Sequence, residues 1–276
     1  MECSEKGTST EVGLKILQKL YPKIEPRTAQ IQPHQTLLEE ETFSQQEIDD
    51  ILKNIPNGKN LQHPLQYGFR EGKLADDALL HATSLLEQAR RQEKHAVLIS
   101  LDISGAFGSL QYSSIRDIFA SLSLFSNISE TLLDPLRNRK VAMQTSEGPI
   151  LWEQTQGCLQ GLCSGPAFWN IVAAEILSVQ WPQGVHLQAF ADDFAFIITD
   201  NTREGLRNFS KLALDKFKDW AGKNKLHVSM EKSSYVLFSK LVRGPTIKWG
   251  NQTISHKNHL KYLGVTIDHK LSCYHT

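Results

Sequence analysis

Three aspartates interrupt apolar runs that otherwise have the pattern of buried strands. Asp102 closes the run 96–103, and Asp192 with Asp193 divides the apolar segment 187–198 into two halves. An ionised carboxylate in such surroundings is costly unless it is paired or binds a metal. At the tip of a tight hairpin both neighbouring side chains can lean to one side, and an adjacent strand would add Asp102 to them. Three converging carboxylates suit Mg²⁺, and two such ions can activate a hydroxyl and stabilise a leaving pyrophosphate. The alternative explanation is an ordinary Asp-Asp turn plus one aspartate at a surface edge.

A glycine-rich loop precedes the Asp-Asp pair. Gly157, Gly161 and Gly165 allow close approach of another molecule to the backbone just before a helix that starts at about Ser164. A loop that runs into a helix N-terminus can face a nucleotide and its phosphates. A flexible loop before a core helix is the alternative.

The elements that must position these residues form an α+β pattern. Hydrophobic periodicity and capping signals predict helices over 44–55, 74–93, 113–122 and 164–181, and one from a cap at Asn201 or Thr202 to about Lys223. Short apolar runs predict strands over 96–103, within 187–198, and over 235–238, 246–249 and 262–267. We therefore expect strands of one sheet with helices packed on it.

Composition and charge exclude several classes of protein. The chain has 276 residues, of which 40% are hydrophobic and 22% charged, enough for a folded core. No run approaches the roughly 18 apolar residues of a membrane span, the polar start indicates no secretion signal, and the four cysteines lack zinc-finger spacing. The formal net charge is +0, but residues 203–248 hold eleven basic and four acidic side chains. That segment could face a polyanion, or it could be a solvated helix face.

Six short segments then follow one another in a telling order: Gln66–Arg70, Leu101–Phe107, Gln156–Asn170, Phe190–Asp193, Glu231–Ser233 and Tyr262–Val265. Within one family, the first two resemble the QFGFR segment and the first catalytic motif. The third resembles the QG-x-x-QG block, and the fourth resembles the YADD/FADD signature. The last two resemble the lysine-bearing block and the YLG motif. That family is the reverse transcriptase domain of non-LTR (LINE-type) retrotransposons. One FADD is weak evidence, whereas six motifs in order over about residues 42–272 are specific.

The resemblance implies an α+β right-hand polymerase palm, an antiparallel sheet with packed helices. We expect a poorly defined N-terminal segment at 1–41 and a reverse transcriptase domain at 42–272, with partial fingers at 42–95 and the palm at 96–272. The family's KAPGPDG-like and YRPI-like stretches have no counterpart here, and the sequence stops soon after the YLG motif. The expectation is therefore that the fingers are incomplete and the thumb is absent.

The resemblance also assigns roles to individual residues. The catalytic and metal-binding set, for two Mg²⁺ ions with Mn²⁺ as a substitute, is Asp102, Asp192 and Asp193. The expected dNTP-binding residues are Ile103, whose backbone would lie near the triphosphate, Phe107, which would exclude a 2′-hydroxyl, and Gln160, Gly161 and Lys232. The expected template and primer contacts are Arg70, Tyr262, Leu263 and Gly264.

The function implied is RNA-directed DNA polymerisation: dNTPs are added to a primer 3′ end on an RNA template. The partners would be RNA template, DNA primer and dNTPs, with no membrane, and family analogy places the protein inside the cell, in the nucleus. Two alternatives stay open for a chain with incomplete fingers: an inactive relic that at most binds nucleic acid, and a fragment that does not fold alone.

Overall fold

The computed structural model describes residues 63–70, 72–121, 133–158, 164–239, 241, 244–271 and 273–275. Some predictions fall outside these described residues. They are the N-terminal segment 1–41, the helix over 44–55, and the site residues Gln160 and Gly161.

Helices and strands are interspersed up to the last helix, and only strands follow it in the described residues. The helices are α1 (Ala75–Arg91), α2 (Ala106–Ser109), α3 (Tyr112–Ser121), α4 (Ser164–Leu177) and α5 (Arg203–Lys223). The strands are β1 (His95–Ser104), β2 (Lys140–Thr145), β3 (Gly148–Glu153), β4 (Val185–Phe190), β5 (Asp193–Asp200), β6 (His227–Phe238), β7 (Lys248–Trp249), β8 (Gln252–Thr253), β9 (Ser255–His256), β10 (His259–Tyr262), β11 (Val265–Asp268) and β12 (Cys273–His275). The predicted α+β class is confirmed.

The chain divides into two compact units. Among the described residues, the smaller contains 111–121 and 133–157, and the larger contains the rest. The described part of the smaller unit contains α3, a one-turn 3₁₀ helix (Asp134–Leu136) and the β2–β3 hairpin, and Arg116 of α3 donates to the Leu136 carbonyl at 3.0 Å. The sequence analysis did not predict this hairpin.

The larger unit is built on a five-stranded sheet in the order β4-β5-β1-β6-β9. All its pairings are antiparallel except β6 with β9. Central strand β1 is apolar on both faces because both faces are covered. Ala96 and Leu98 face a core shared with α1, β10 and β11. The opposite face packs on α5 through aromatic contacts of β5 residues with Phe217.

Helix α5 begins where the capping signal predicts. Thr202 is its N-cap, and the threonine hydroxyl accepts a hydrogen bond from the Gly205 amide at 2.9 Å. Such a bond satisfies one of the amides that have no partner in the first turn. Within the described residues, no helix combines the length and the apolar character needed to cross a bilayer.

Two predicted boundaries were wrong. The segment 262–267 is not one strand but the turn of the β10–β11 hairpin, with Tyr262 paired to Val265. Leu263 and Gly264 have φ of 50° and 83°, which is typical of a tight two-residue hairpin turn. The helix expected to start at about Ser164 and continue to Trp181 begins at Ser164 but ends at Leu177.

Candidate active site

Asp102 and Asp193 lie directly opposite each other on neighbouring strands. They form the last antiparallel pair between β1 and β5, and Asp193 is also paired with Phe190 of β4. The β4–β5 connection is therefore a two-residue turn made of Ala191 and Asp192. Sheet register thus brings the three predicted carboxylates to one end of the central strands.

Ala191 is the strained residue of this turn. Its φ is 56°, a left-handed conformation that non-glycine residues rarely adopt. The indole of buried Trp169, on α4, donates to the Ala191 carbonyl at 2.8 Å. Gly68 lies against the other side of the turn, so close that a Cβ there would lie 2.7 Å from the Ala191 Cα. The turn that carries Asp192 is therefore held by groups from distant parts of the chain.

Burial and mutual repulsion act against the charges of these carboxylates. Asp102 has a side chain 29% exposed, and its Oδ2 is buried without a hydrogen bond. The Nζ of Lys232 lies 3.6 Å from that oxygen, on a side chain that is 70% exposed. Burial, reinforced by repulsion from Asp192 and Asp102, raises the pKa of Asp193 to about 6. Burial also raises the pKa of Asp192, with a smaller contribution from Asp102.

This donor set fits a divalent cation chemically. Mutually repelling carboxylates and a buried oxygen without a hydrogen-bond donor are stabilised by a hard cation. The side chains do not converge as fully as predicted: across the described ranges, no three His, Cys, Asp or Glu side chains are grouped as a ready metal site.

Phe107 follows Asp102 closely in sequence and packs against other aromatic rings. Its ring meets Phe69 edge-on at a centroid distance of 5.6 Å and tilts against Trp169 at 5.9 Å. The Phe107 carbonyl accepts from the Cys158 amide at 2.9 Å. Phe107 is half-buried, so part of it is available to a ligand. Ile103 is buried, which leaves its backbone for the predicted triphosphate contact.

Comparison with known proteins identifies the family of this chain. The family "Reverse transcriptase (RNA-dependent DNA polymerase)" matches residues 41–267. The chain belongs to the reverse transcriptase family. This reverse transcriptase chain is 28% identical over 212 residues to the Pol polyprotein of the type-1 retrotransposable element R1 of Bradysia coprophila. It is 23% identical over 235 residues to the RNA-directed DNA polymerase of the mobile element jockey of Drosophila melanogaster. The predicted resemblance to LINE-type reverse transcriptases is confirmed.

Coverage is unequal in these comparisons. The matches take in 76% and 81% of this reverse transcriptase chain but only 21% and 24% of the two relatives. Among solved structures, telomerase from Candida tropicalis in complex with a fragment of telomeric RNA has a TM-score of 0.59 at 15% identity. That match covers 84% of this chain and 36% of the telomerase chain. The likeness supports a polymerase palm-like α+β fold.

Two predicted template and primer residues of the reverse transcriptase have hydrogen-bond partners within the protein. The guanidinium of Arg70 donates to the carbonyls of His63 and Gln66, at 2.6 and 3.2 Å, and so closes its own loop. Tyr262 is buried, and its hydroxyl accepts from the Gln188 amide at 3.1 Å. A direct contact of the Tyr262 side chain with nucleic acid does not fit this placement. Leu263 and Gly264 form the hairpin turn, and their contact with primer stays a prediction.

The sequence analysis missed residues that support the reverse transcriptase site. Trp169 and Asn170 were recognised only as motif letters, yet the Asn170 amide donates to the Gly68 and Phe69 carbonyls at 3.3 Å each. Ser233 was not singled out, although its hydroxyl accepts from the Asp102 amide at 3.3 Å. Their position within the quoted motifs was the available signal.

The raised pKa of Asp193 predicts a pH-dependent effect on stability. In metal-free protein the pKa of Asp193 is higher in the folded state than in the unfolded state, so folding favours the protonated carboxyl. The free energy of unfolding therefore falls as pH rises from about 4 through 6. Asp193→Asn removes that penalty. Because Asp193 is partly open to solvent, we expect a gain of about 1 kcal/mol or less at pH 8 and a smaller gain at pH 5. Thermal melts in EDTA at both pH values measure it.

A surface substitution provides the control for this measurement. Asp117 is exposed on α3, and Asp117→Asn should change the melting temperature little at either pH. A loss of stability in Asp193→Asn at pH 8 would contradict the electrostatic account.

Proposed function

We propose that this chain is the RNA-directed DNA polymerase domain of a LINE-type retrotransposon and that it adds dNTPs to a primer 3′ end on an RNA template. The observation that carries the proposal is the pairing of Asp102 with Asp193, beside Asp192, at the end of the sheet of a reverse transcriptase-family chain. Because the chain spans about a fifth to a quarter of its curated relatives, activity in the absence of the remaining segments is part of the proposal.

Asp102, Asp192 and Asp193 would hold two Mg²⁺ ions, with Mn²⁺ as a substitute. Bound there, such ions would neutralise the triphosphate and favour ionisation of the primer hydroxyl. The protein's part is to bring three carboxylates to one end of the sheet and to leave Oδ2 of Asp102 buried without a hydrogen-bond donor. Lys232, 3.6 Å from Asp102, provides a mobile positive charge that could move toward a leaving pyrophosphate.

Phe107 would select the sugar of the incoming nucleotide. Its ring is braced by Phe69 and Trp169, so it cannot swing away freely to admit a 2′-hydroxyl. This supports dNTPs over NTPs as substrates. The basic excess of residues 203–248 supports contacts with template and primer phosphates, which would weaken as salt rises. A nuclear location is a further proposal, and it rests on the family resemblance alone.

The alternative function is nucleic-acid binding without catalysis. It is favoured by the lack of the KAPGPDG-like and YRPI-like stretches, which carry triphosphate-holding residues in the family. Catalysis of phosphoryl transfer is largely a matter of positioning and charge stabilisation, so loss of those contacts would reduce activity more than binding.

Primer extension tests the proposal directly. Purified protein, shown to be folded by a cooperative melt, is given a DNA primer on an RNA template, dNTPs and Mg²⁺ or Mn²⁺. We expect extension that requires the metal, prefers dNTPs to NTPs and yields the complement of the template. Folded protein that binds primer–template without extending it would overturn polymerase activity for this chain and leave the non-catalytic alternative.

A further inference from the structure

The Asp192–Asp193 turn is supported by a segment far away in the sequence. Residues 63–70 lie along the free edge of β4. There the Tyr67 amide donates to the Ala189 carbonyl at 2.8 Å, and the Ala189 amide donates to the Leu65 carbonyl at 2.9 Å. This parallel bridge between Gln66 and Ala189 places the Gln66 side chain at the next residues of the chain, the turn itself.

We infer that Gln66 is a positioning residue of the active site, which clamps the Ala191–Asp192 turn through both polar groups of Ala191. Its Nε2 donates to the Ala191 carbonyl at 3.0 Å, and its Oε1 accepts from the Ala191 amide at 2.9 Å. The two residues are 125 positions apart in sequence. The same Oε1 also accepts from the Gly68 amide at 3.0 Å, which fixes the orientation of the side-chain amide.

Burial makes the loss of these hydrogen bonds costly. Gln66 has an exposed fraction of 0%. A buried amide or carbonyl that loses its partner carries the full desolvation cost, so loss of the Gln66 side chain would leave the Ala191 amide without its described partner. The Ala191 carbonyl also accepts from Trp169, whereas the described contacts of its amide are with Gln66 alone.

The consequence for the site follows from the strain at Ala191. A non-glycine residue at φ 56° persists only where its surroundings hold it there. Without the clamp the turn can relax toward an ordinary conformation, and Asp192 and the first residue of β5 move with it. None of the described side-chain hydrogen bonds of Gln66 reaches a carboxylate, so we expect it to act on catalysis through the turn.

This inference deepens the proposed function and rests on it for its kinetic readout. The test compares Gln66→Met with Gln188→Met. Gln188 is also fully buried in the same region, and its amide donates to the Ala78 carbonyl at 2.7 Å and to the Tyr262 hydroxyl at 3.1 Å, but none of its described hydrogen bonds reaches the turn. Both variants lose buried hydrogen bonds at similar side-chain volume, so both should melt at lower temperature.

Only Gln66→Met should change the site. We expect its kcat for primer extension to fall at least tenfold, with KM for dNTP within threefold, and its Mn²⁺ affinity, measured by electron paramagnetic resonance, to fall several-fold. Hydrogen exchange at the Ala191 amide should quicken in Gln66→Met and stay unchanged in Gln188→Met. Gln66→Asn keeps a buried amide but is one methylene too short to reach both groups, so its kcat should be intermediate. This variant provides the test if Gln66→Met does not fold.

The outcomes separate the two proposals. If the wild-type chain extends no primer, the proposed function fails, while amide exchange and Mn²⁺ affinity still test the clamp. The clamp is overturned if Gln66→Met and Gln188→Met change kcat or Mn²⁺ affinity equally, or if exchange at Ala191 does not respond to Gln66.

Discussion

Asp102→Asn is expected to reduce the rate of primer extension by about a hundredfold to a thousandfold or more, the range seen when one preorganised electrostatic group is removed. The substitution keeps the size of the side chain but removes the charge that faces Asp193 across the β1–β5 ladder. It also leaves Lys232 without its carboxylate partner. The single-turnover extension rate at saturating Mg²⁺ and dNTP is the measurement.

The fold should survive this change. The Asp102 main chain pairs with β5 and β6, and its side chain is not part of the apolar core, so the melting temperature should stay within a few degrees of wild type. Affinity for primer–template should change less than threefold. Asp117→Asn, on an exposed helical face, serves as the matched control and should extend primer normally. Near wild-type extension by Asp102→Asn would remove this residue from the proposed catalytic set.

Gly68→Ala is expected to cost the largest amount of stability, about 3 kcal/mol or more, since forcing atoms into a packed site moves backbone as well as side chains. The new Cβ would lie 2.7 Å from the Ala191 Cα, 2.9 Å from its Cβ and closer still to its nitrogen. These atoms belong to the strained turn and include its backbone, so they cannot rotate aside. The segment 63–70 and the turn would have to separate.

A second glycine provides the control. Gly222 lies in α5, where an added Cβ would meet nothing within 4 Å. Gly222→Ala should be neutral or stabilising by up to about 1 kcal/mol, because alanine favours helix. Denaturant titration of both variants gives the free energies of unfolding. A Gly68→Ala protein as stable as wild type would mean that the turn is more adaptable than its contacts indicate. If the variant folds, primer extension should fall with the displaced carboxylates.

The elements near the site were largely predictable because their signals are local. Apolar runs marked β1 and the β4–β5 hairpin, and a threonine cap marked the start of α5. The aspartates stood out because a charged residue in an apolar run needs a partner. The β10–β11 turn was missed because Leu263 gives no sign of a positive φ.

By itself, the sequence determined the α+β class, most helix and strand positions and the motif order of the reverse transcriptase family, and it singled out three carboxylates as candidates for the site. Only the tertiary structure decided which groups support them. Asp102 meets Asp193 because two strands far apart in the chain share a register, and Gln66 reaches Ala191 across 125 residues. The tertiary structure also decided that Arg70 forms a hydrogen bond within its own loop and that Tyr262 is buried. Periodicity and capping act within a few residues, whereas these contacts depend on which surfaces meet after the chain has folded, and no local pattern encodes that.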